Sequence, residues 1–352
     1  MIQDIRLQQF RSYTDDSFEF GPGVNIIVGP NASGKTNLLE AILVVARGGS
    51  YRVRDSELIM FEHPWARLDS LVDNAERTVK LIREPLPEKQ YELDGRIFRR
   101  LGLKQALPVV LFEPNHLSLL TGSPEGRRAY LDELLTQTTP GYGSTVRAYR
   151  RTLAQRNRLL KKGAHHVTTE QLFPWNVRLS ELGATIARAR TDLAETINRT
   201  IDGLYRELSH TQAIATLVYG AMAAPEEYES HMLRQLELRT HDDLLRGFTS
   251  FGPHREDVLI CFDGRPASET VSRGETRTLV LGLKIIELEQ LKQQRGETPL
   301  LLLDDVFSEL DGARRKHLTT HLQSYQTFIT TTDADVVLQH FTDQSNILLV
   351  SR

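Results

Sequence analysis

The hydrophobic positions of this chain change character twice along its length. From residue 1 to about 120, short apolar or alternating runs bounded by turn residues predict β-strands. These runs are residues 2–9, 18–20, 24–28, 68–72, 78–83, 90–93, 97–99 and 109–112. From about residue 123 to 246 the apolar residues recur at helical spacing, and after residue 250 strands alternate with helices, which predicts a mostly parallel sheet.

One helical pattern in the middle of the chain is unusually long. Its apolar face between residues 175 and 209 carries Leu179, Leu182, Ile186, Ala189, Leu193, Ile197, Leu204 and Leu208. An unbroken helix over this stretch would extend about 50 Å at 1.5 Å per residue. Because a compact core needs less than that, the pattern predicts an arm.

The later elements complete an α/β fold. Strands are predicted at 258–262, 300–303, 327–331 and 347–350, with helices at 274–294 and 313–323. Because strand-rich ends flank the helical middle, the simplest architecture is one α/β head built from both chain ends, with an inserted helical arm domain. The predicted boundaries give an N-terminal head part at 1–122, the arm domain at 123–248 and a C-terminal head part at 249–352.

A phosphate-binding loop is predicted directly after the strand at residues 24–28. Its eight residues are Gly29, Pro30, Asn31, Ala32, Ser33, Gly34, Lys35 and Thr36, and helical spacing begins at Lys35. In this context backbone N–H groups and the helix N-terminus attract the phosphates of a nucleotide such as ATP. Lys35 can reach the β and γ phosphates, and the Thr36 hydroxyl can ligate Mg²⁺. The flanking strand and helix disfavour the alternative, a glycine-rich surface turn.

Two acids end an apolar strand near the other end of the chain. Leu300 to Leu303 are followed by Asp304 and Asp305. P-loop proteins place a metal-binding aspartate opposite the phosphates in this way. We expect Asp304 to hold Mg²⁺, directly or through water, and Asp305 to orient or deprotonate the attacking water. Such a strand end is common by itself, so the interpretation depends on the phosphate-binding loop, which supplies the other half of one phosphoryl-transfer site.

Two motifs near these acids resemble those of ATP-binding-cassette (ABC) ATPases. Residues 271–275, which include Ser272, Arg273, Gly274 and Glu275, resemble the signature motif, and residues 308–311, which end at Asp311, resemble the D-loop. Their order and spacing are similar to those of the SMC-like branch of these ATPases. Further strings at residues 10–13, 122–132, 155–157 and 252–257 resemble the RecF family of recombination mediators, so the resemblance spans essentially the whole chain.

This resemblance implies an ATP-dependent homodimer. In such ATPases the signature motif of one head contacts the γ-phosphate held by the other head, which assigns this role to Ser272, Arg273 and Gly274. By itself, Ser-Arg-Gly-Glu more often marks a capped helix start. The family association also implies clamping of DNA at gaps or single-strand/duplex junctions, with RecR and RecO as partners in loading RecA.

The chain departs from the transporter-type ABC pattern at two positions. It has Asp305 where those proteins have glutamate, and Thr332 at the apparent position of their histidine. Because a shorter carboxylate reaches less far and threonine is a poor proton acceptor, we predict slow hydrolysis that suits a timed switch. No glutamine between residues 47 and 70 is assigned to a Q-loop.

A basic stretch is the candidate DNA contact. It contains Arg147, Arg150, Arg151, Arg156, Arg158, Lys161 and Lys162, with no acidic residue among residues 147–162. The alternative is a solvated helix face. Because the whole chain has a net charge of −3, from 43 basic and 46 acidic residues, a polyanion must be met by a local patch of this kind. We expect contacts to the DNA backbone rather than to base edges.

Composition and length exclude some other classes of protein. No run approaches the roughly eighteen apolar residues of a membrane span, and the first residues look like a strand, so we expect a cytoplasmic protein without a membrane partner. This basic helix, the long arm and the missing histidine disfavour the main rival, an ATP-driven transport subunit of the ABC class. An insert of about 125 residues is also too short for a nuclease-associated SMC-like protein with long coiled coils.

Overall fold

The structure is a computed structural model that describes residues 1–163, 166–209, 213–306, 312–322, 324–332 and 345–351. Contacts divide the chain into two units. The first unit contains Met1–Leu117 and Glu287–Arg352, and the second contains Ser118–Ile286. The predicted α/β head built from both chain ends is therefore confirmed by the first unit.

The helices and strands fall into three successive parts of the chain. The first part of the chain contains β1 Asp4–Phe10, β2 Tyr13–Glu19, β3 Val24–Val28, α1 Lys35–Arg47, α2 Asp55–Leu58, β4 Trp65–Val72, β5 Ala75–Ile82, β6 Glu88–Leu93, β7 Arg96–Phe98 and β8 Val109–Phe112. The middle contains a 3₁₀ helix at Pro114–Leu119, α3 Pro124–Thr138, α4 Tyr142–Leu160, α5 Thr169–Asn198, α6 Ile201–Ser209, β9 Ala215–Tyr219, α7 Tyr228–Leu238 and α8 Thr240–Arg246. The last part contains β10 Val258–Phe262, β11 Arg265–Pro266, α9 Ala267–Thr270, α10 Arg273–Arg295, β12 Leu300–Asp304, α11 Gly312–Leu322, β13 Thr327–Thr331 and β14 Asn346–Leu349. Within the described ranges, none of these helices has the length and apolar character needed to cross a membrane.

A parallel five-stranded sheet in the first unit positions the candidate site. Its strand order is β14-β3-β13-β12-β8, and every residue of β12 and β13 is buried. The four leucines of β12 therefore form core, which is why the strand contains an uninterrupted apolar run. Because all five strands run the same way, their carboxyl ends lie at one edge of the sheet, where the loop before α1 and the acids after Leu303 also lie.

An antiparallel six-stranded sheet shares the core of the first unit. Its order is β2-β1-β4-β5-β6-β7, and side chains from both sheets and from α1 form one buried cluster that includes Leu7, Leu38 and Leu302. The turn between β6 and β7 is Asp94-Gly95, with φ values of 46° and 76°. These are the left-handed angles that the Asp-Gly pair favours in a two-residue hairpin turn.

The second unit differs from the predicted arm in two ways. The long helix α5 ends at Asn198, and α6 begins separately at Ile201. The carboxamide of Asn198 exchanges two hydrogen bonds of 2.7 Å with the backbone N–H and carbonyl of Leu217 in β9. In addition, α5 packs against α4, α7 and β9, so its apolar face forms the core of this unit.

The second predicted boundary also lies elsewhere. We expected the head to resume at residue 249, whereas the contacts assign Ser118–Ile286 to the second unit. The reason is that β10 pairs with β9 along its whole length, from Val258 opposite Tyr219 to Phe262 opposite Ala215. The boundary falls within α10, so the signature-like segment belongs to the second unit.

Candidate nucleotide-binding site and basic helix

The predicted phosphate-binding loop connects β3 to α1. Gly34 has φ 104° and lies immediately before α1. The hydroxyl of Tyr13 donates a 2.9 Å hydrogen bond to the Gly34 carbonyl, and a Cβ on Gly34 would lie 3.0 Å from that hydroxyl oxygen. Both the left-handed backbone and the close approach therefore require glycine at this position.

The side chain of Lys35 folds back over the loop. Its ammonium donates to the carbonyl oxygens of Gly29 at 2.7 Å and Pro30 at 2.8 Å. Burial lowers the pKa of Lys35, and the carboxylates of Asp305 and Asp304 oppose this shift. The nearby Ser33 hydroxyl is buried without a hydrogen-bond partner among the described residues. A ligand with several oxygens would fit both groups, because it offers charge to the ammonium and an acceptor to the hydroxyl.

The carboxylate of Asp304 is the meeting point of the two predicted half-sites. The Thr36 hydroxyl donates to its Oδ1 at 3.0 Å, across 268 positions of sequence. The Thr330 hydroxyl donates to the same oxygen at 2.8 Å, and the Tyr51 hydroxyl donates to Oδ2 at 3.1 Å. The structure thus brings the loop and the acid-tipped strand side by side.

Two of these neighbours, Thr330 and Tyr51, were not predicted from the sequence. Thr330 lies beside Asp304 because β12 and β13 are paired in parallel register, with Asp304 opposite Thr330. The shared edge of parallel strands is a signal that could have identified it. Tyr51 follows α1 in a loop and carries no local signal. Burial and the adjacent Asp304 raise the pKa of Tyr51, so its phenol stays protonated and donates to the carboxylate.

Asp305 follows the end of β12 in a left-handed backbone conformation, with φ 52°. Its N–H donates to the Thr330 hydroxyl at 2.9 Å, and its side chain is exposed. The turn therefore separates two neighbouring carboxylates: Asp304 is buried among hydroxyl groups, and Asp305 is open to solvent. This difference in environment suits different roles for the two acids.

The residues at this edge of the sheet fit a magnesium ion. Mg²⁺ takes oxygen ligands and is bound through one or two carboxylates together with water and substrate phosphates. The Thr36 hydroxyl and the Asp304 carboxylate supply two such oxygens at 3.0 Å from each other. A cleft of about 570 Å³ in the first unit is lined by Ser12, Asn37, Phe61 and others, but none of residues 29–36 lines it.

The signature-like segment of the second unit forms the start of α10. The Ser272 N–H donates to the Glu275 carboxylate at 2.7 Å, and the Glu275 N–H donates to the Ser272 hydroxyl at 3.3 Å. This reciprocal pair is a capping box. Ser272 is exposed, Gly274 is partly buried, and Arg273 is the first residue of the helix. The D-loop prediction at Asp311 falls outside the described residues.

The basic stretch is α4 together with the two lysines after it. Its exposed cations are Arg147, Arg150, Arg151, Arg158, Lys161 and Lys162. Val146, Tyr149 and Leu160 are buried on the opposite side. Arg150 lies 3.9 Å from the Asp132 carboxylate and remains 69% exposed, so this contact leaves its charge largely available.

The predicted DNA contact at Arg156 is wrong. Arg156 is fully buried, and its guanidinium donates to Asn176 at 2.7 Å and to Asp243 and Thr249 at 2.8 Å. The spacing places position 156 on the same side of α4 as Tyr149 and Leu160, so it faces the core. Residue type alone favours an exposed cation at position 156, because the buried partner Asp243 is distant in sequence.

A second group of buried polar contacts holds the inner face of α4. The Tyr149 hydroxyl lies 2.7 Å from His254 Nδ1, and burial lowers the pKa of His254 to about 4. The guanidinium of Arg190 pairs with Asp132 at 2.9 Å, and Asp132 also accepts a 2.5 Å hydrogen bond from Tyr142. These contacts fix the helix that presents the basic surface.

Comparisons with known proteins agree with this architecture. A family model described as the RecF/RecN/SMC N terminal domain matches residues 1–350. The DNA replication and repair protein RecF of Heliobacterium modesticaldum is 36% identical over 342 residues, which cover 94% of this chain and 92% of the relative. A solved structure of the recombination mediator protein RecF with ATP, in the RecFOR pathway, matches with a TM-score of 0.85 at 31% identity, covering 94% of this chain and 92% of that one.

A more distant match concerns the fold alone. The head of an Smc protein, solved with the C-winged helix domain of ScpA, has a TM-score of 0.55 at 18% identity and covers all of this chain and 94% of its own. The parallel sheet, the loop after β3 and the acids after β12 thus define an ATPase head of the ABC/SMC-like class. Within this class, the chain belongs to the RecF family of DNA replication and repair proteins.

Proposed function

We propose that this chain is a DNA-binding ATPase of recombinational repair. ATP drives homodimerisation, the dimer clamps DNA at gaps or single-strand/duplex junctions, and slow hydrolysis releases it. The observation that carries the proposal is the hydrogen bond between Thr36 and Asp304, which joins a phosphate-binding loop to an acidic strand end. A relative solved with ATP, 31% identical to this chain, supports the choice of nucleotide.

The proposed chemistry assigns one task to each group. The backbone N–H groups of residues 29–36, apart from Pro30, which has none, and the ammonium of Lys35 bind the phosphates. Thr36 and Asp304 would hold Mg²⁺, which when bound neutralises charge on the transferred phosphoryl group. Asp305 orients the attacking water or accepts its proton. Tyr51 and Thr330 fix the Asp304 carboxylate by donating to it.

The signature-like segment supplies the proposed dimer contact. Ser272, Arg273 and Gly274 of one copy would meet the γ-phosphate bound by the other, and the resemblance to ABC ATPases assigns Glu275 and Asp311 to the same nucleotide site. Three features support this: Ser272 is exposed, it begins a helix, and helix N-termini attract anions. From the family resemblance, we also propose RecR and RecO as the partners with which this chain helps to load RecA.

Replacement of Ser272 by arginine tests the dimer contact. We expect Ser272→Arg to bind ATP as the wild type does but to remain monomeric, because a bulky cation would occupy the place of the γ-phosphate contact. Sedimentation velocity with ATP measures the outcome. The loss of the cap costs about 1 kcal/mol of stability, so thermal melting must accompany the measurement. Ser230→Arg, at an exposed serine of α7, is the matched control; ATP-dependent dimers of Ser272→Arg would refute the contact.

The basic surface of α4 is the proposed DNA contact. Replacing Arg150, Arg151, Arg158 and Lys161 together with alanine should weaken binding and lower the slope of log K against log salt by up to about 3.6, because each phosphate contact contributes about 0.9. Fluorescence anisotropy across a salt series measures this slope. Replacing exposed Arg199 and Arg234, which lie outside α4, is the control. An unaltered slope in the α4 variant would move the DNA site elsewhere.

A further inference from the structure

An exposed aromatic ring and an exposed guanidinium lie together at the edge of the second unit. Phe248 is 39% exposed, and the guanidinium carbon of Arg255 lies 4.8 Å from the centre of its ring. Arg255 is itself exposed, and its Nε and Nη2 each donate to the Thr249 carbonyl at 3.3 Å. These hydrogen bonds hold the guanidinium over the ring, so the two groups form an ordered cation–π pair that is partly open to solvent.

The segment that carries Phe248 is anchored to the inner face of α4. The N–H and hydroxyl of Thr249 both donate to Asn157 Oδ1, at 2.8 and 2.7 Å. The Thr249 hydroxyl also accepts from the buried Arg156 at 2.8 Å. The N–H of Ser250 donates to Asp243 at 3.0 Å. The aromatic ring is thus held in a defined position relative to the basic helix.

This surface also lies next to the cations of α4. A Cβ on Gly247 would lie 3.5 Å from Lys161 Cγ, so the residue before Phe248 lies close to the aliphatic part of the Lys161 side chain. Arg246 is exposed one position earlier, and Leu245 is 71% exposed. The short helix α8 also exposes one carboxylate, that of Asp242. A polyanion held by α4 would therefore pass beside an aromatic ring that is accessible from solvent.

We propose that Phe248 and Arg255 form a stacking site for one unpaired base of the DNA bound by α4. The inference rests on the proposed DNA contact and deepens it. Every base presents a flat π-face, so such stacking is indifferent to sequence, while the neighbouring cations meet the phosphates. A base within a duplex is already stacked on its neighbours, whereas an unpaired base at a junction is free to stack on protein. The site therefore provides a preference for single-strand/duplex junctions.

The test compares two DNAs and three proteins. The DNAs are a blunt duplex and the same duplex with a single-stranded tail. Phe248→Leu keeps apolar volume but removes the ring, and Phe248→Trp keeps a ring. We expect Phe248→Leu to bind the tailed duplex about 5- to 100-fold more weakly than the wild type, since stacking contributes about this much per base. It should bind the blunt duplex equally well, with an unchanged salt slope, and Phe248→Trp should bind both DNAs like the wild type.

A 2-aminopurine base at the first unpaired position reports the stacking itself. The wild type and Phe248→Trp should quench its fluorescence, and Phe248→Leu should not. If Phe248→Leu binds the tailed duplex and quenches 2-aminopurine as the wild type does, the stacking site is wrong. The exposed ring would then be explained by a contact with another protein. Equal weakening on both DNAs would also overturn the stacking site. The α4 variant separates the two proposals. If it loses DNA binding and salt dependence while Phe248→Leu is unaffected, the DNA contact at α4 is retained and the stacking site is rejected.

Discussion

Lys35→Met is expected to weaken ATP binding by about 30-fold or more, because removal of one partner from a buried charge pair costs roughly 2–5 kcal/mol. Among the described residues, the ammonium of Lys35 has the carbonyl oxygens of Gly29 and Pro30 as its hydrogen-bond partners. Phosphate oxygens would be stronger partners because they carry charge. Equilibrium binding of a fluorescent ATP analogue measures the loss.

Two controls accompany the Lys35 variant. Lys104→Met removes an exposed lysine of the first unit and should bind ATP as the wild type does. Thermal melting of Lys35→Met without nucleotide shows whether the loop's own hydrogen bonds from Lys35 matter for folding. A folded Lys35→Met protein with wild-type ATP affinity would remove the phosphate-binding role of residues 29–36.

Asp305→Asn is expected to slow hydrolysis by about 100-fold or more while ATP binding is retained, because a general base contributes roughly 10²- to 10⁴-fold. Asparagine is the appropriate replacement. The backbone at Asp305 has φ 52°, and asparagine accepts this left-handed conformation about as readily as aspartate does, so the turn is preserved. The N–H of residue 305 can then still donate to Thr330.

Steady-state phosphate release, with and without DNA, measures the effect of Asp305→Asn. Asp94→Asn is the matched control, because Asp94 also has positive φ and lies in the hairpin between β6 and β7. Wild-type turnover in Asp305→Asn, with ATP binding intact, would assign the proton-accepting role to another group. Since the Asp305 side chain is exposed, we expect the fold of this variant to be unaffected.

The parts of the site that could be predicted from sequence are those whose geometry is local. The loop at residues 29–36 is set by its own glycines between a strand and a helix, and Asp304 is set by the leucines before it. Tyr51 reaches Asp304 through a loop of irregular structure, so only the fold brings it there. Thr330 lies between these cases, because its position follows from the parallel pairing of two predicted strands.

The errors have a common physical cause, which is pairing between distant segments. Arg156 is buried because Asp243 and Asn176 compensate its charge, and neither is close to it in sequence. The long helix ends at Asn198, where the side chain binds the backbone of β9. The second domain boundary depends on the pairing of β9 with β10. Residue type and spacing describe one segment at a time and cannot report such partners.

Sedimentation velocity of the wild-type chain, with and without Mg-ATP and a tailed duplex, measures ATP-driven dimerisation and DNA clamping together. We expect monomers without nucleotide, dimers with ATP, and DNA that sediments with the dimer and is released as ATP is consumed. A chain that binds ATP but remains monomeric in every condition would contradict this expectation.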